Sequence, residues 1–134
     1  MTRKETTVKE LGSKVWAIPA GRIPPDSTGR EPEFNSRDEL CLLNATGEEA
    51  NLEITIFYAN RDPVGPYTLK VEACRVRNVR LNDLIDPEAI PMGIDYAAVV
   101  EADVPIVAQH VRFDSRRAED SHVWLPRLRE QRLG

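Results

Sequence analysis

His110, Arg112 and Asp114 occupy every second position near the end of the stretch VPIVAQHVRFDSRR, Val104 to Arg117. In a strand that spacing puts all three side chains on one face. A histidine can carry a proton near neutral pH, an arginine grips an anion, and a carboxylate accepts hydrogen bonds. With Ser115 the set holds the residue types of a Ser-His-Asp constellation. Same-face neighbours on one strand lie about 6.6 Å apart, so these residues do not form a triad among themselves. The only other histidine is His122, and no glycine-rich phosphate loop, HExxH or CxxC occurs. The expectation is a binding protein and not an enzyme.

The stretch carries two patterns. Odd-numbered Val107, Gln109, Val111 and Phe113 read as the core face. Even-numbered Val104, Ile106, Ala108, His110, Arg112 and Asp114 turn from apolar to polar halfway. Such a face passes from a covered zone to a wetter one. His110, Arg112 and Asp114 are therefore expected to rim a cleft or an assembly interface. A salt bridge between Arg112 and Asp114 on a solvated strand end is the plainer alternative.

Two further groups bear on ligands. Asp83, Asp86, Glu88 and Asp95 give a loop an acidic character, and calcium takes several oxygen ligands. Asp86 before Pro87 and Asn82 beside Asp83 are, however, ordinary turn formers. No metal and no cofactor is expected. Trp16 and Tyr67 could each offer a flat ring to a sugar. Aromatic residues make up only 6% of the chain, and a tryptophan packed under the loop IPAGRIPP serves a core equally well.

These residues need elements to position them. The 134-residue chain is one domain's worth, long enough for a core without staples. Hydrophobic residues at 41% and charged residues at 30% fit a globular protein. The net charge of -4 argues against nucleic acid as the main partner. No apolar run reaches membrane-span length, and MTRKETTVKELGSK lacks the apolar core of a signal peptide. A cytoplasmic protein is expected, with Cys41 and Cys74 as reduced, half-buried thiols.

Period-two alternation dominates the chain. Leu52, Ile54, Ile56 and Tyr58 share one parity, Glu53 and Thr55 the other. Asn44, Thr46 and Gly47 supply turn chemistry before that strand, which predicts a hairpin with ELCLL. Tyr67, Leu69 and Val71 alternate after RDPVGP, and Val79 and Leu81 follow a corner near Ala73 and Cys74. NDLIDPEAIPMGID reads as a loop. YAAVVEADVPIVAQHVRF reads as two strands around a turn at Ala102 and Asp103, with both faces covered. Short strands with turns at this spacing predict an all-β antiparallel sandwich. Its expected limits are residues 13–119, with a polar arm over 1–12 and a short tail over 120–134.

The motifs VWAIPAGRIPP, EPEF, LLNA, ITIFYA, PVGPY, RLNDL and VPIVAQHVRFDSRRAE, in this order, resemble the sensory rhodopsin transducer family. The resemblance spans about Val15 to Glu119. It implies a jelly-roll-like β-sandwich, similar in fold to carbohydrate-binding domains. It also implies a homotetramer that acts as a signalling adaptor, docking on the cytoplasmic face of a membrane photoreceptor or another receptor. The alternative is a carbohydrate- or small polar ligand-binding module without a rhodopsin partner. Trp16, Tyr67, His110, Arg112 and Asp114 are the candidate ligand- or partner-binding residues.

Overall fold

The computed structural model describes residues 11–25 and 37–113. Asp114, Ser115, His122 and Trp124 lie outside them, as do the expected tail and residues 1–10 of the expected arm. Six strands carry the described fold: β1 (Ser13–Gly21), β2 (Arg37–Asn44), β3 (Ala50–Tyr58), β4 (Val64–Val71), β5 (Arg75–Arg80) and β6 (Tyr96–Phe113). A single 3-10 turn, Leu81–Asp83, follows β5. All pairings are antiparallel, in the order β4-β3-β6-β2-β5, with β1 on β6. The result is a curled all-β sandwich, as the alternation predicts.

β6 is the central element. It is one continuous strand of 18 residues, where the sequence suggested two strands around a turn. Its first half pairs with β1 and β3, and its second half with β2. The change of sheet has a visible cause. Between the pairs Val15↔Glu101 and Ser13↔Ile106, β1 advances two residues while β6 advances five. The surplus around Ala102–Pro105 bends the strand, and Pro105 has no amide hydrogen to offer a ladder there. The expected break is thus a bend within a strand.

The predicted hairpin between β2 and β3 does not form. β2 pairs with β5 and β6, and β3 pairs with β4 and β6. The turn after Asn44 carries the chain from one sheet to the other. Asn44 is fully buried and organises the crossing. Its side-chain amide donates to the carbonyls of Glu48 at 2.7 Å and Val71 at 3.1 Å. Its oxygen accepts from the Thr46 amide and hydroxyl.

The core lies between the two halves of β6. Leu40 and Leu42 face it from β2, Leu52, Ile54 and Ile56 from β3, and Tyr67 and Val71 from β4. Each such side chain contributes about 1.5–3 kcal/mol on burial. On β6 the core face is the even set, Tyr96, Ala98, Val100, Ile106, Ala108 and His110. The odd set, Val107, Gln109 and Val111, is half-buried on the outer side. This corrects the parity expected from the sequence: a small Ala108 and a polar His110 disguised the inner face.

Candidate functional site

β2 reads RDELCLLN, and Asp38 shares its parity with Leu40, Leu42 and Asn44. A carboxylate is thereby committed to the core side of a strand, and it is fully buried. Burying an ionised carboxylate is costly unless it is paired and hydrogen-bonded. Four groups converge on Asp38. Its Oδ2 accepts from the Arg22 backbone amide at 2.7 Å and from the Tyr96 hydroxyl at 2.8 Å. Its Oδ1 accepts from Arg112 Nε at 3.0 Å. His110 Nε2 lies 3.3 Å from Oδ2, close enough for ion pairing though not aligned as a hydrogen bond.

The fold explains the convergence. Arg112 stands opposite Asp38 in the β2–β6 ladder. Tyr96 arrives from the other end of the same bent strand. Its ring crosses β1 at Gly21, where an added Cβ would come within 2.2 Å of ring carbon. Arg112 also donates through Nη2 to the Ala20 carbonyl at 3.2 Å, tying the end of β1 to β6.

The electrostatics favour a charged Asp38. Burial, the largest single influence, pushes its carboxyl up. His110, Arg112 and the Arg22 amide together outweigh burial and hold it below the usual carboxylate range. Tyr96 is pushed well above an ordinary phenol, first by burial and then by the charge of Asp38, so it stays a neutral donor.

Accessibility rises along the even face of β6 toward its polar end. Ile106 and Ala108 are buried, His110 is 6% exposed, and the Arg112 side chain is 34% exposed. Arg112 therefore forms the rim, while His110 stays inside. Among the described residues the carboxylate partner of Arg112 is Asp38; Asp114 lies outside them. Trp16 and Tyr67 are both buried in the core. The Trp16 indole N–H points to the carbonyls of Ile106 at 2.9 Å and Ser13 at 3.0 Å. The Tyr67 hydroxyl donates to the Glu88 carbonyl. Neither ring offers an open face for stacking in this conformation.

A second polar group holds the loop between the 3-10 turn and β6. Arg61 lies over the Tyr58 ring, 5.1 Å from its centroid, and pairs with Glu88 at 3.0 Å. The Tyr58 hydroxyl is buried without a partner. On the rim of the Asp38 cluster, Arg22 Nη1 stands 3.5 Å from an exposed Asp95. Among the described residues no three His, Cys, Asp or Glu side chains group as metal ligands. Asp83, Asp86, Glu88 and Asp95 are thus spread along the loop.

Chemically, the cluster holds the Asp38 carboxylate in place. Both Asp38 oxygens are occupied by donors, so they are poorly placed to take a proton from a substrate. What remains available is cationic: the outer edge of Arg112 and the side chain of Arg22. Such groups recognise anionic or polar surfaces.

The sequence profile of the Anabaena sensory rhodopsin transducer family matches residues 11–124. The chain belongs to this family. Asp38, Tyr96, His110 and Arg112 all fall within the matched region. Among solved structures, the Anabaena sensory rhodopsin transducer is 52% identical, with a TM-score of 0.71. That match covers 82% of this chain and 96% of the Anabaena protein. A crystal structure of Thermotoga maritima 1070 is 25% identical with a TM-score of 0.70, covering 90% and 92% of the two chains. No curated protein sequence matches the chain significantly. The family is one of signalling proteins, which accords with a polar cluster whose carboxylate is fully engaged. Among the described residues no helix is long and apolar enough to cross a membrane.

No sequence motif marks Asp38 or Tyr96 as members of the cluster. The available signal was phase. Both residues sit in step with the buried parity of their strands, where a polar group needs partners.

Proposed function

We propose that this chain is a cytoplasmic signalling adaptor that binds the cytoplasmic face of a membrane photoreceptor, or of another receptor, and relays its state. The observation that carries this reading is the 52% identity to the Anabaena sensory rhodopsin transducer over nearly all of that protein. The geometry supports a recognition role. A buried carboxylate fixes Arg112 at the rim, and a fixed guanidinium binds with less ordering cost than a free one. In this reading Arg112 contacts the partner, and Asp38, His110 and Tyr96 position it. By the alternation of the sequence alone, Asp114 is a further candidate contact. Trp16 and Tyr67 act through the scaffold that carries the rim. The buried Trp16 and Tyr67 rings favour the adaptor over a sugar-binding module.

The adaptor works as a homo-oligomer, a tetramer by analogy with the resemblance noted above. The outer face of the β2–β5 region supports assembly. Leu43 stands in register with Val76 on one side and Val107 on the other, and Leu43 and Val76 are 37% and 68% exposed. This apolar row suits a symmetric contact between copies.

Isothermal titration against the Anabaena sensory rhodopsin in neutral-lipid nanodiscs tests the proposal. Saturable binding, weakened at least tenfold by Arg112→Ala, is expected. No binding by the wild-type chain would overturn the photoreceptor reading.

A further inference from the structure

Between the 3-10 turn and β6 runs a loop, residues 84–95, that is held in place yet exposes large apolar side chains. Three anchors hold it. Glu88 is engaged through its carbonyl by Tyr67 and through its carboxylate by Arg61. Ile90 is buried. The Gly93 amide donates to the Ile23 carbonyl at 2.7 Å. Beside these anchors, Ile85 is 68% exposed, Met92 58% and Ile94 47%. A loop free to rearrange could tuck such side chains away, whereas this one presents them on a fixed backbone. Ordering it on binding therefore costs little.

Charge gives the second half of the argument. Residues 81–95 contain Asp83, Asp86, Glu88 and Asp95, and no Lys or Arg. Glu88 and Asp95 are paired to Arg61 and Arg22 from outside the loop. Asp83 and Asp86 are exposed, with no ion pair among the described residues. Acidic charge alone would suit water. Acidic charge interleaved with exposed Ile and Met suits a partner that is basic and apolar together. The Arg22–Asp95 pair makes this surface continuous with the rim of the Asp38 cluster.

We infer that the loop at 84–95 is a docking surface for a basic, partly apolar segment at the cytoplasmic edge of the receptor. This rests on the adaptor reading and names the surface and the partner chemistry. Membrane proteins concentrate Lys and Arg in their cytoplasmic loops, next to the apolar ends of their helices. A segment of that kind matches the loop in charge and in apolar character. A bare anionic lipid surface does not, because Asp83 and Asp86 would be repelled by it.

The test compares wild type, Asp83→Lys/Asp86→Lys and Ile85→Ser/Met92→Ser. Each is titrated into nanodiscs carrying the Anabaena sensory rhodopsin and into empty vesicles of anionic phosphatidylserine. All substituted side chains are exposed, so unchanged melting temperatures are expected; the milder Asp83→Asn/Asp86→Asn serves if the charge reversal unfolds the chain. The expected result is a Kd at least tenfold higher for each variant, a wild-type affinity that falls with added salt, and no wild-type binding to the vesicles. Wild-type binding that both variants retain would overturn the docking surface while leaving the adaptor reading intact. Wild-type binding to the anionic vesicles would overturn the partner chemistry. A wild-type chain that ignores the receptor would overturn both.

Discussion

Tyr96 and Arg112 stand sixteen positions apart on a single strand, yet both bond the carboxylate of Asp38, at 2.8 and 3.0 Å. Extended, that much strand would span roughly 53 Å at about 3.3 Å per residue. The contact is possible only because β6 bends at Ala102–Pro105 and brings its two ends to the same side of the core. Asp38 is therefore the tie that closes the sandwich at one end. The same tie fixes the Arg112 guanidinium at the edge of the cluster.

Replacing Asp38 by Ala should be strongly destabilising. It leaves Arg112 without its counter-charge and Tyr96 without its acceptor. Breaking a buried pair from one side costs about 3–5 kcal/mol. Urea unfolding of the variant checks this. A loss below about 1 kcal/mol, the scale of an exposed pair, would show that the cluster is not a structural tie.

Stability should also depend on acid in a defined direction. The folded pKa of Asp38 is depressed, so the folded state holds this proton more weakly than the unfolded chain, where the value is about 3.9. The stabilisation is complete above about pH 5 and is lost as the pH falls through roughly 4 toward the folded-state pKa. The stability gap between wild type and Asp38→Asn should therefore narrow on acidification. Urea titrations from pH 7 down to pH 3 measure it, and a gap that widens toward acid contradicts the assignment.

Arg112→Ala should lower stability by about 1.5–3 kcal/mol, the scale of a hydrogen bond to a charged group. The loss is smaller than for Asp38 because Tyr96, the Arg22 amide and His110 still face the carboxylate. Arg112→Lys should recover only part of it, since an ammonium cannot hold Asp38 and the Ala20 carbonyl in one planar fork. Thermal melts of both variants decide this. Full recovery by lysine would mean that charge alone matters there.

Much of the fold is legible in the alternation of β3 and β4, because one buried face imposes period two on each; on β5 Val79 alone is buried. The neighbours of those strands are not legible. Asn44, Thr46 and Gly47 announce that the chain turns, but turn chemistry is the same whether it returns along its own sheet or crosses to the other. In β6 the apolar run is equally plain, while the inner parity is masked by Ala108 and His110. The polar end of that strand is recognisable from its residue types. Its decisive partner is not, since Asp38 lies 74 positions from Arg112 and only its phase with Leu40 and Leu42 betrays it.

Gly21→Ala offers a separate check on the Tyr96 geometry. The added methyl would fall 2.2 Å from the ring, so the ring or β1 must shift. Overpacking of this kind typically costs about 1–3 kcal/mol. A drop in melting temperature is expected, and Gly21→Ala should cost little further stability when introduced into a Tyr96→Ser background. A Gly21→Ala variant as stable as wild type would show that Tyr96 has room to move.

The central claim is that the chain reads the state of a receptor, and binding alone does not establish that. A relay requires different affinities for the two states, because a ligand that binds both equally shifts neither. The decisive measurement is the Kd for the Anabaena sensory rhodopsin in nanodiscs, taken in the dark and under steady illumination. The account predicts at least a fivefold difference, diminished in Arg112→Ala. Equal affinity in both light conditions would contradict it.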